Sequence, residues 1–295
     1  MDKSWTIGFV GLGVMGEPMC RNMRQKTGLR VLVHDLNPAS VQALVAHGAE
    51  ACPDVAQLAR ASDVVFVSLP SGQVLANLVR APGGLLANMR PGRIFVDLGT
   101  SSVNITRALA AEFSARGIRY LDAPVARTRQ AAEAGTLSIM VGGDEATFRE
   151  VRDLLACCAN DITHCGGTGS GQITKILNNM VLFQTVVALS EAYAIAKRAG
   201  FDPKLIFETL MKGSADSFAL RNHGAKAILP QQFPLRAFSV EYARKDLSYA
   251  LELAAELGIE VGGARHADEL FDQAIARKLG DQYFPVISRL VLERA

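Results

Sequence analysis

A glycine-rich segment near the amino terminus constrains the fold of this chain more than any other feature. Gly11, Gly13 and Gly16 form a GxGxxG pattern that follows the apolar run Ile7–Val10 and precedes a segment with helical periodicity, Met15–Arg24. A strand that passes through closely spaced glycines into a helix is typical of the first unit of a doubly wound α/β fold. The pattern therefore predicts a Rossmann-type parallel sheet at the start of the chain.

The remainder of the first half repeats this alternation of strand and helix. Short β-rich runs separated by helical patterns predict parallel strands joined by right-handed crossovers. The predicted strands are Thr6–Val10, Arg30–His34, Val64–Ser68, Ile94–Asp97, Arg119–Asp122 and Leu137–Gly142, with helices such as Pro38–His47 and Val103–Arg116 between them.

A second glycine-rich stretch, residues 166–171, separates the alternating strands and helices from a region in which only helical patterns occur. We therefore predict two domains, a Rossmann-type domain over residues 1–165 and an all-α domain over residues 166–295. A long helix, Gln172–Ala199, joins them. The other predicted helices are Pro203–Met211, Phe218–Ile228, Val240–Leu257, Ala264–Lys278 and Pro285–Arg294.

The long helix also bears on assembly and location. It is apolar nearly all round, and a helix that is apolar on every face is buried on every face. A small domain can hardly bury it alone, so we expect a homodimer or a homotetramer. Its apolar run is interrupted by Gln184, Ser190 and Glu191 and is too short for a transmembrane helix. The amino terminus has no signal-peptide layout, which predicts a cytoplasmic protein.

The charge and cysteine content exclude several functional classes. The chain has 31 Lys and Arg against 29 Asp and Glu, a formal net charge of +2, which argues against nucleic acid and membrane partners. The five cysteines include no CxxC pair. Three of them, Cys157, Cys158 and Cys165, cluster in the sequence with His164. Because the cluster lacks paired ligand spacing, we interpret the cysteines as ordinary thiols and not as metal ligands.

Each glycine of the first motif has a physical role in binding a dinucleotide. Gly11 permits a tight turn, Gly13 lets the backbone approach a pyrophosphate, and Gly16 lets the helix pack against the strand. Asp35 follows Gly16 by 19 positions, at the end of the next strand. Its carboxylate can accept hydrogen bonds from ribose hydroxyls and would repel a 2′-phosphate, so NAD is favoured over NADP. The other loop residues expected to contact the cofactor are Leu12, Val14 and Met15.

Four motifs in order resemble those of the β-hydroxyacid dehydrogenase family, and together they cover the whole chain. This family includes 3-hydroxyisobutyrate dehydrogenase and tartronate semialdehyde reductase. The motifs are Gly11–Met19, Asp122–Val125 followed by Gly135–Leu137, Gly171–Asn179, and Lys245–Leu247.

The resemblance implies roles for residues in both domains. Lys175 matches the family's catalytic lysine and Asn179, four positions later on the same helix face, matches the asparagine that holds it and the substrate. An ammonium group can neutralise charge that grows on a carbonyl oxygen and deliver a proton to it. Gly171, one turn earlier, is expected to leave room for a ligand. Leu69, Pro70 and Thr100 match family positions that contact the nicotinamide half of the cofactor. Lys245 matches the family lysine that lines the cofactor side of the cleft.

The sequence departs from the family in the loop that is expected to bind substrate. After Asp122–Val125 the common pattern is Ser-Gly-Gly, whereas this chain has Ala126, Arg127 and Thr128. The loop resembles that of the sulfolactaldehyde reductase subgroup. A guanidinium offers a fork of donors that matches carboxylate, sulfonate or phosphate, so we expect Arg127 to recognise the anionic end of the substrate. Ala126 and Thr128 are expected to bind the substrate with it, and the Thr128 hydroxyl can add a donor.

We therefore predict an NAD-linked oxidoreductase that interconverts a small acidic β- or ω-hydroxy acid and its semialdehyde. The substrate anion, carboxylate or sulfonate, and the physiological direction stay open. One alternative is an imine reductase, a resembling group in which Asp or Tyr typically replaces the catalytic lysine. Another is a catalytically silent NAD(P)-binding scaffold. Lys175 argues against both.

Overall fold

The computed structural model describes residues 4–235 and 237–294, and its first half is built on one sheet. All six predicted strands are present, and their bounds agree with the prediction to within one residue. The strands in the described part of the chain are β1 (Thr6–Val10), β2 (Arg30–His34), β3 (Glu50–Ala51), β4 (Val64–Val67), β5 (Ile94–Asp97), β6 (Arg119–Asp122), β7 (Val125–Ala126), β8 (Leu137–Gly143) and β9 (Ala159–Gly166).

The sheet is parallel over most of its width. Its order is β3-β2-β1-β4-β5-β6-β8-β7, and β9 pairs with β8. Every pair from β3 to β6 is parallel, whereas β8 runs antiparallel to both β6 and β7. The sequence analysis did not predict β3, β7 or β9. The first two have only two residues each, and β9 carries exposed polar residues in place of an apolar run.

Eight helices of the described residues pack around this sheet. Six of them begin at an Asn, Asp, Ser or Thr whose side chain accepts a backbone N–H of the first turn, the common way to satisfy a helix start. The helices are α1 (Gly16–Thr27), α2 (Pro38–Val45), α3 (Val55–Ala61), α4 (Gly72–Arg80), α5 (Leu85–Asn88), α6 (Val103–Ser114), α7 (Arg129–Ala134) and α8 (Glu145–Ala156).

Both faces of the sheet are buried, which explains why its strands read as continuous apolar runs. Alternate residues of one strand enter different core clusters because successive side chains point to opposite faces. Val64 and Phe66 of β4 belong to one cluster, and Val65 and Val67 belong to the other. The stacked rings of Phe95 and Phe113 lie in the second cluster, with centroids 4.6 Å apart.

The chain divides into two compact units after Lys175. The second unit is helical, as predicted, and the predicted helix Phe218–Ile228 forms there as a π-helix. The helical elements in this part of the chain are α9 (Ser170–Arg198), α10 (Pro203–Leu210), the π-helix Leu220–Ile228, α11 (Val240–Glu256), α12 (Gly262–Ala276), the 3-10 turn Phe284–Val286 and α13 (Ile287–Arg294).

Aromatic rings form the centre of the second unit. The fully buried ring of Phe183, from α9, contacts those of Phe271 and Phe284 edge-on, with centroids 5.3 Å apart in each pair. His223 of the π-helix packs against Phe284 and Tyr283 in the same cluster. These edge-to-face contacts are the arrangement that ring quadrupoles favour, so they specify the packing as well as burying area.

Among the described residues, α9 is the one helix whose length and composition would suit a membrane span. Half of its most apolar window is buried, and Val186 and Val187 lie in the core of the second unit. A core helix gives the same composition signal. The burial is not complete, however, because Leu177, Val181 and Ile195 leave an apolar stripe exposed.

In residues 4–235 and 237–294, no group of three or more His, Cys, Asp or Glu side chains is placed to hold a metal ion. Cys157 and Cys158 are buried, and burial raises the pKa of the Cys158 thiol. His164 is hydrogen-bonded to the carbonyl of Gly143 and stacks on Phe148.

Candidate active site

The loop between β1 and α1 has the shape that a dinucleotide pyrophosphate requires. Gly11 has φ +89°, and a Cβ there would lie 2.2 Å from the carbonyl oxygen of Ser68, so only glycine fits. A Cβ on Gly16 would lie 1.9 Å from the carbonyl oxygen of Gly11. At Gly13, by contrast, a Cβ would meet nothing within 4 Å, so the space in front of this residue is open to a ligand.

Helix α1 differs from most other helices of its unit because no side chain caps its start at Met15. No side chain therefore competes with an anion at this helix start, and the positive end of the helix dipole favours one. The open space at Gly13 and this uncapped helix start fit the pyrophosphate of NAD.

Asp35 lies beside the same loop, at the end of β2. Its Oδ2 accepts the backbone N–H of Leu12 at 2.6 Å, and its Oδ1 accepts that of Asn37 at 2.7 Å. These two bonds fix the carboxylate at the mouth of a cavity of about 480 Å³ lined by His34, Asp35 and Leu36, among others. A carboxylate in this place can accept ribose hydroxyls, which fits the adenosine half of NAD.

The other predicted cofactor residues follow the carboxyl ends of neighbouring strands. Leu69 and Pro70 come after β4, and Thr100 comes after β5. Leu69 is half-buried, Pro70 is exposed and Thr100 is buried. Because β4 and β5 are adjacent and parallel, the two loops leave the sheet at the same edge.

Lys175 lies in the second turn of α9 and is only 8% exposed. The start of this helix is held by Asp122, the last residue of β6, whose carboxylate accepts the backbone N–H groups of Gly169 at 2.8 Å and Gln172 at 2.9 Å. Burial raises the pKa of Asp122, and these hydrogen bonds oppose the rise by favouring its charged form. A buried carboxylate thus caps the helix that carries Lys175.

Gly171 does not leave room for a ligand, contrary to the expectation from the sequence. A Cβ at this position would lie 2.4 Å from the carbonyl oxygen of Met140 and 2.8 Å from that of Asp122. The missing side chain lets α9 approach the backbone of β6 and β8 closely. Gly171 therefore positions the helix and does not line an open pocket.

Asn179 is one turn beyond Lys175 on α9 and is 1% exposed. Its side-chain amide donates to Oδ2 of Asp246 at 2.7 Å, and Nζ of Lys245 lies 2.9 Å from the other carboxylate oxygen of Asp246. Nζ of Lys245 also lies 4.2 Å from the centre of the Tyr242 ring. Asp246 thus links two predicted site residues. Asp246 lies in the motif Lys245–Leu247 but was not predicted as a site residue, although an acid directly after a lysine that matches a family position is a usable signal.

Arg127 occupies a backbone conformation that favours glycine, with φ +87°. A glycine at this position would adopt the same backbone conformation without strain. The guanidinium donates to the carbonyl of Thr136 at 2.7 Å and to the carboxylate of Asp161 at 2.5 Å. Both side chains of the ion pair are substantially exposed. Asp161 lies on β9, the strand that the sequence analysis missed.

The neighbours of Arg127 are divided between strand and helix. Ala126 is the last residue of β7 and is half-buried. Thr128 is the N-cap of α7, and its hydroxyl oxygen accepts the N–H of Ala131 at 3.4 Å. Thr128 therefore has a local structural role in addition to the substrate contact predicted for it.

Comparison with known proteins agrees with this geometry over nearly the whole chain. The family described as "NAD binding domain of 6-phosphogluconate dehydrogenase" matches residues 6–167, and "NAD-binding of NADP-dependent 3-hydroxyisobutyrate dehydrogenase" matches residues 169–290. The chain is 38% identical over 280 residues to 2-(hydroxymethyl)glutarate dehydrogenase of Eubacterium barkeri, covering 95% of this chain and 92% of that one.

Two further proteins are similar to this chain over nearly its whole length. The chain is 34% identical to 2-hydroxy-3-oxopropionate reductase of Escherichia coli strain K12, over 92% of this chain and 91% of that one. The solved structure of Mycobacterium tuberculosis 3-hydroxyisobutyrate dehydrogenase with L-serine matches with a TM-score of 0.89 at 31% identity, covering 98% of this chain and 99% of that one. This chain therefore belongs to the β-hydroxyacid dehydrogenase family and is an NAD-dependent dehydrogenase of small hydroxy acids.

Proposed function

We propose that the enzyme interconverts a small acidic β-hydroxy acid and its semialdehyde, with Lys175 as the general acid and base. The observation that carries this proposal is the burial of Lys175 on a helix whose start is fixed by Asp122. An amine held in a water-poor place by a rigid element is suited to move a proton at a defined atom.

The proton transfer follows from the residues of the chain. Bound NAD supplies the hydride acceptor in oxidation, and NADH supplies the hydride donor in reduction. In oxidation, neutral Lys175 would take the proton of the substrate hydroxyl at Nζ. In reduction, the ammonium form would neutralise the charge that develops on the carbonyl oxygen and return the proton to it. Asn179, whose amide is oriented by Asp246, would hold the same oxygen.

We propose that Arg127 recognises the anionic end of the substrate together with the Ala126 and Thr128 backbone. A planar guanidinium binds carboxylate and sulfonate through two parallel donors. In the structure this group is paired with the carboxylate of Asp161, which supports the proposal and means that a substrate anion would compete with Asp161. The side chains of both residues reach solvent, so the pair can exchange partners at low energetic cost.

The substrate class follows from the relatives and from this loop together. Two relatives are named for acids that carry an alcohol or aldehyde near a carboxylate, 2-(hydroxymethyl)glutarate and 2-hydroxy-3-oxopropionate. The loop resembles that of the sulfolactaldehyde reductase subgroup. The proposal therefore covers carboxylate and sulfonate substrates. The expected cytoplasmic location and the homo-oligomeric state stay predictions.

The test is a substrate panel read by NADH absorbance. In the oxidative direction it holds 2-(hydroxymethyl)glutarate, 3-hydroxyisobutyrate, L-serine and 2,3-dihydroxypropanesulfonate, each with NAD. We expect turnover of at least one acid and none of the corresponding neutral alcohols. A purified, NAD-binding protein that oxidises none of them, and reduces none of the matching semialdehydes with NADH, would contradict the proposal and favour the scaffold alternative. Turnover of cyclic imines alone would favour the imine reductase alternative.

A further inference from the structure

Gln172 is a polar side chain that is completely buried in the first turn of α9, with 0% exposure. Burying an amide is unfavourable unless its donors and acceptor are hydrogen-bonded. The sequence motif Gly171–Asn179 includes this residue, yet neither the proton transfer nor the expected cofactor contacts use it. Its burial therefore requires a separate explanation.

Two hydrogen bonds of the Gln172 amide are to the loop that follows β5. Nε2 donates to the carbonyl of Gly99 at 2.9 Å, and Oε1 accepts the backbone N–H of Ser101 at 3.1 Å. These two partners flank Thr100, the residue expected to contact the nicotinamide half of the cofactor. Because one partner can only accept and the other can only donate, the amide has a single orientation.

Asp97 supports the same arrangement from the end of β5. Its Oδ1 accepts the N–H of Gly99 at 2.8 Å, and its Oδ2 accepts the hydroxyl of Ser101 at 3.2 Å. Nε2 of Gln172 lies 3.5 Å from that second oxygen. Asp97 and Gln172 are both buried, so the loop is bound on two sides by groups that have lost contact with water.

The backbone of Gln172 is fixed as firmly as its side chain. Its N–H donates to Asp122 at 2.9 Å, and the adjacent Gly171 packs against the strand backbone. The first turn of α9 is therefore bound to β6 through the main chain and to the loop at Thr100 through one side chain. Lys175 follows Gln172 by three residues on the same rigid helix.

We propose that Gln172 is a positioning residue that holds the Thr100 loop and the first turn of α9 in fixed register. This fixes the distance between the nicotinamide side of the cofactor site and the ammonium group of Lys175, the two groups that must act on one carbon–oxygen bond. The inference rests on the proposed role of Lys175. Misplacement of reacting groups by about 1 Å can lower a rate by about 100-fold.

The first test is Gln172→Met, which nearly keeps the volume and removes all three side-chain hydrogen bonds. We expect kcat to fall about 10- to 100-fold, while KM for the hydroxy acid and Kd for NADH change by less than about threefold. Hydrogen exchange of the apo protein should rise at the amide of Ser101, which loses its acceptor. The control is Thr174→Val, which removes an exposed hydroxyl bonded only to its own helix at Ser170 and should leave kcat unchanged.

Gln172→Glu gives a signature that a loss of folding would not. Its carboxylate would face Asp97 and the carbonyl of Gly99, so the pKa of the new acid should be raised and the charged form should repel both. Protonation restores an O–H donor. We therefore expect kcat, relative to the wild type at the same pH, to recover as the pH is lowered toward 6.

The outcomes separate this inference from the proposed function. If Gln172→Met turns over at the wild-type rate while Lys175→Ala is inactive, the inference is overturned and the proposed function stands. If Lys175→Ala stays active, the proposed function fails, and the exchange at Ser101 still reports the link between loop and helix. Loss of NADH affinity in step with kcat, or unchanged exchange at Ser101, also overturns the inference.

Discussion

The two compact units bury polar side chains in different surroundings. In the unit that ends at Lys175, Asp97, Asp122 and Gln172 collect at the ends of adjacent strands and are bonded to loops that belong to the candidate site. In the unit that begins at Ile176, His223 lies among aromatic rings. The first arrangement fixes loops of the candidate site, and the second is part of a packed core.

This difference has energetic consequences. Asp97, Asp122 and Gln172 are each hydrogen-bonded to a backbone or side-chain partner. His223 bonds the Tyr283 hydroxyl through Nδ1, but its Nε2 has no hydrogen-bond partner among the described residues. Substitutions near the strand ends should therefore change turnover more than stability, and substitutions at His223 should do the reverse. The predictions below test this contrast.

The largest expected effect is on catalysis. Lys175→Ala should lower kcat by at least about 100-fold, the range for losing a positioned general acid or base. The free energy of unfolding should change little, because the capping contacts at Asp122 are kept. Steady-state kinetics and NADH titration check this, with Thr174→Val as the control. A variant with wild-type turnover would remove Lys175 from the mechanism.

The second prediction concerns stability in the helical unit. Burial lowers the pKa of His223 from 6.5 to about 4. As the pH falls below 6.5 the unfolded chain binds a proton that the folded chain does not, so stability decreases until about pH 4. At about 1.4 kcal/mol per pKa unit, the loss is about 3 kcal/mol.

Chemical denaturation between pH 7 and pH 4.5 measures this loss. His223→Gln should remove most of the slope that this group contributes, whereas the exposed His47→Gln should not. Equal slopes in the wild type and the His223 variant would mean that His223 is protonated in the folded state, and the contrast between the units would lose its support.

The third prediction concerns substrate binding. Arg127→Ala should raise KM for the acidic substrate by roughly 10- to 100-fold, from the loss of about 1.5–3 kcal/mol of charged hydrogen bonding. NADH affinity should not change. The matched control is Asp161→Asn, which frees the guanidinium from a competing carboxylate and should leave KM equal or lower. If KM is unchanged in Arg127→Ala for every active anion, Arg127 serves only its ion pair with Asp161.

The fourth prediction concerns cofactor choice. Wild-type protein should bind NAD(H) more tightly than NADP(H), and Asp35→Ala should narrow the gap by about tenfold, the effect of one charged hydrogen-bonding group. Dissociation constants for both cofactors decide it. Tighter NADP(H) binding by the wild type would contradict the role of Asp35.

The smallest expected effect is on the oligomeric state, which is measured as the mass of the protein in solution. The stripe formed by Leu177, Val181 and Ile195 leaves apolar surface of α9 exposed, which suits contact with a second copy of the chain. Light scattering should give at least twice 31.6 kDa for the wild type, and Ile195→Glu should shift it toward 31.6 kDa. A monomeric wild type at micromolar concentration would refute the expectation drawn from this helix.

Local patterns in the sequence predicted most of the secondary structure. Strands such as Ile94–Asp97 and helices such as Pro203–Leu210 agree with their predictions closely, because periodicity and turn residues are local signals. The glycine loop was predictable for the same reason. The short strands β3 and β7 and the polar edge strand β9 were not, since their residues carry no apolar run that a local rule detects.

The sequence by itself thus determined the family and the NAD cofactor, and it supplied the residues predicted for the site. Only the tertiary structure decided which distant residues meet. Gln172 contacts Gly99 because β5, β6 and β8 are neighbours in the sheet, and Arg127 meets Asp161 because β9 pairs with β8. Gly171 allows close packing and does not open a pocket for the same reason. Such pairings depend on strand order, which is a property of the whole domain and leaves no trace in any short segment.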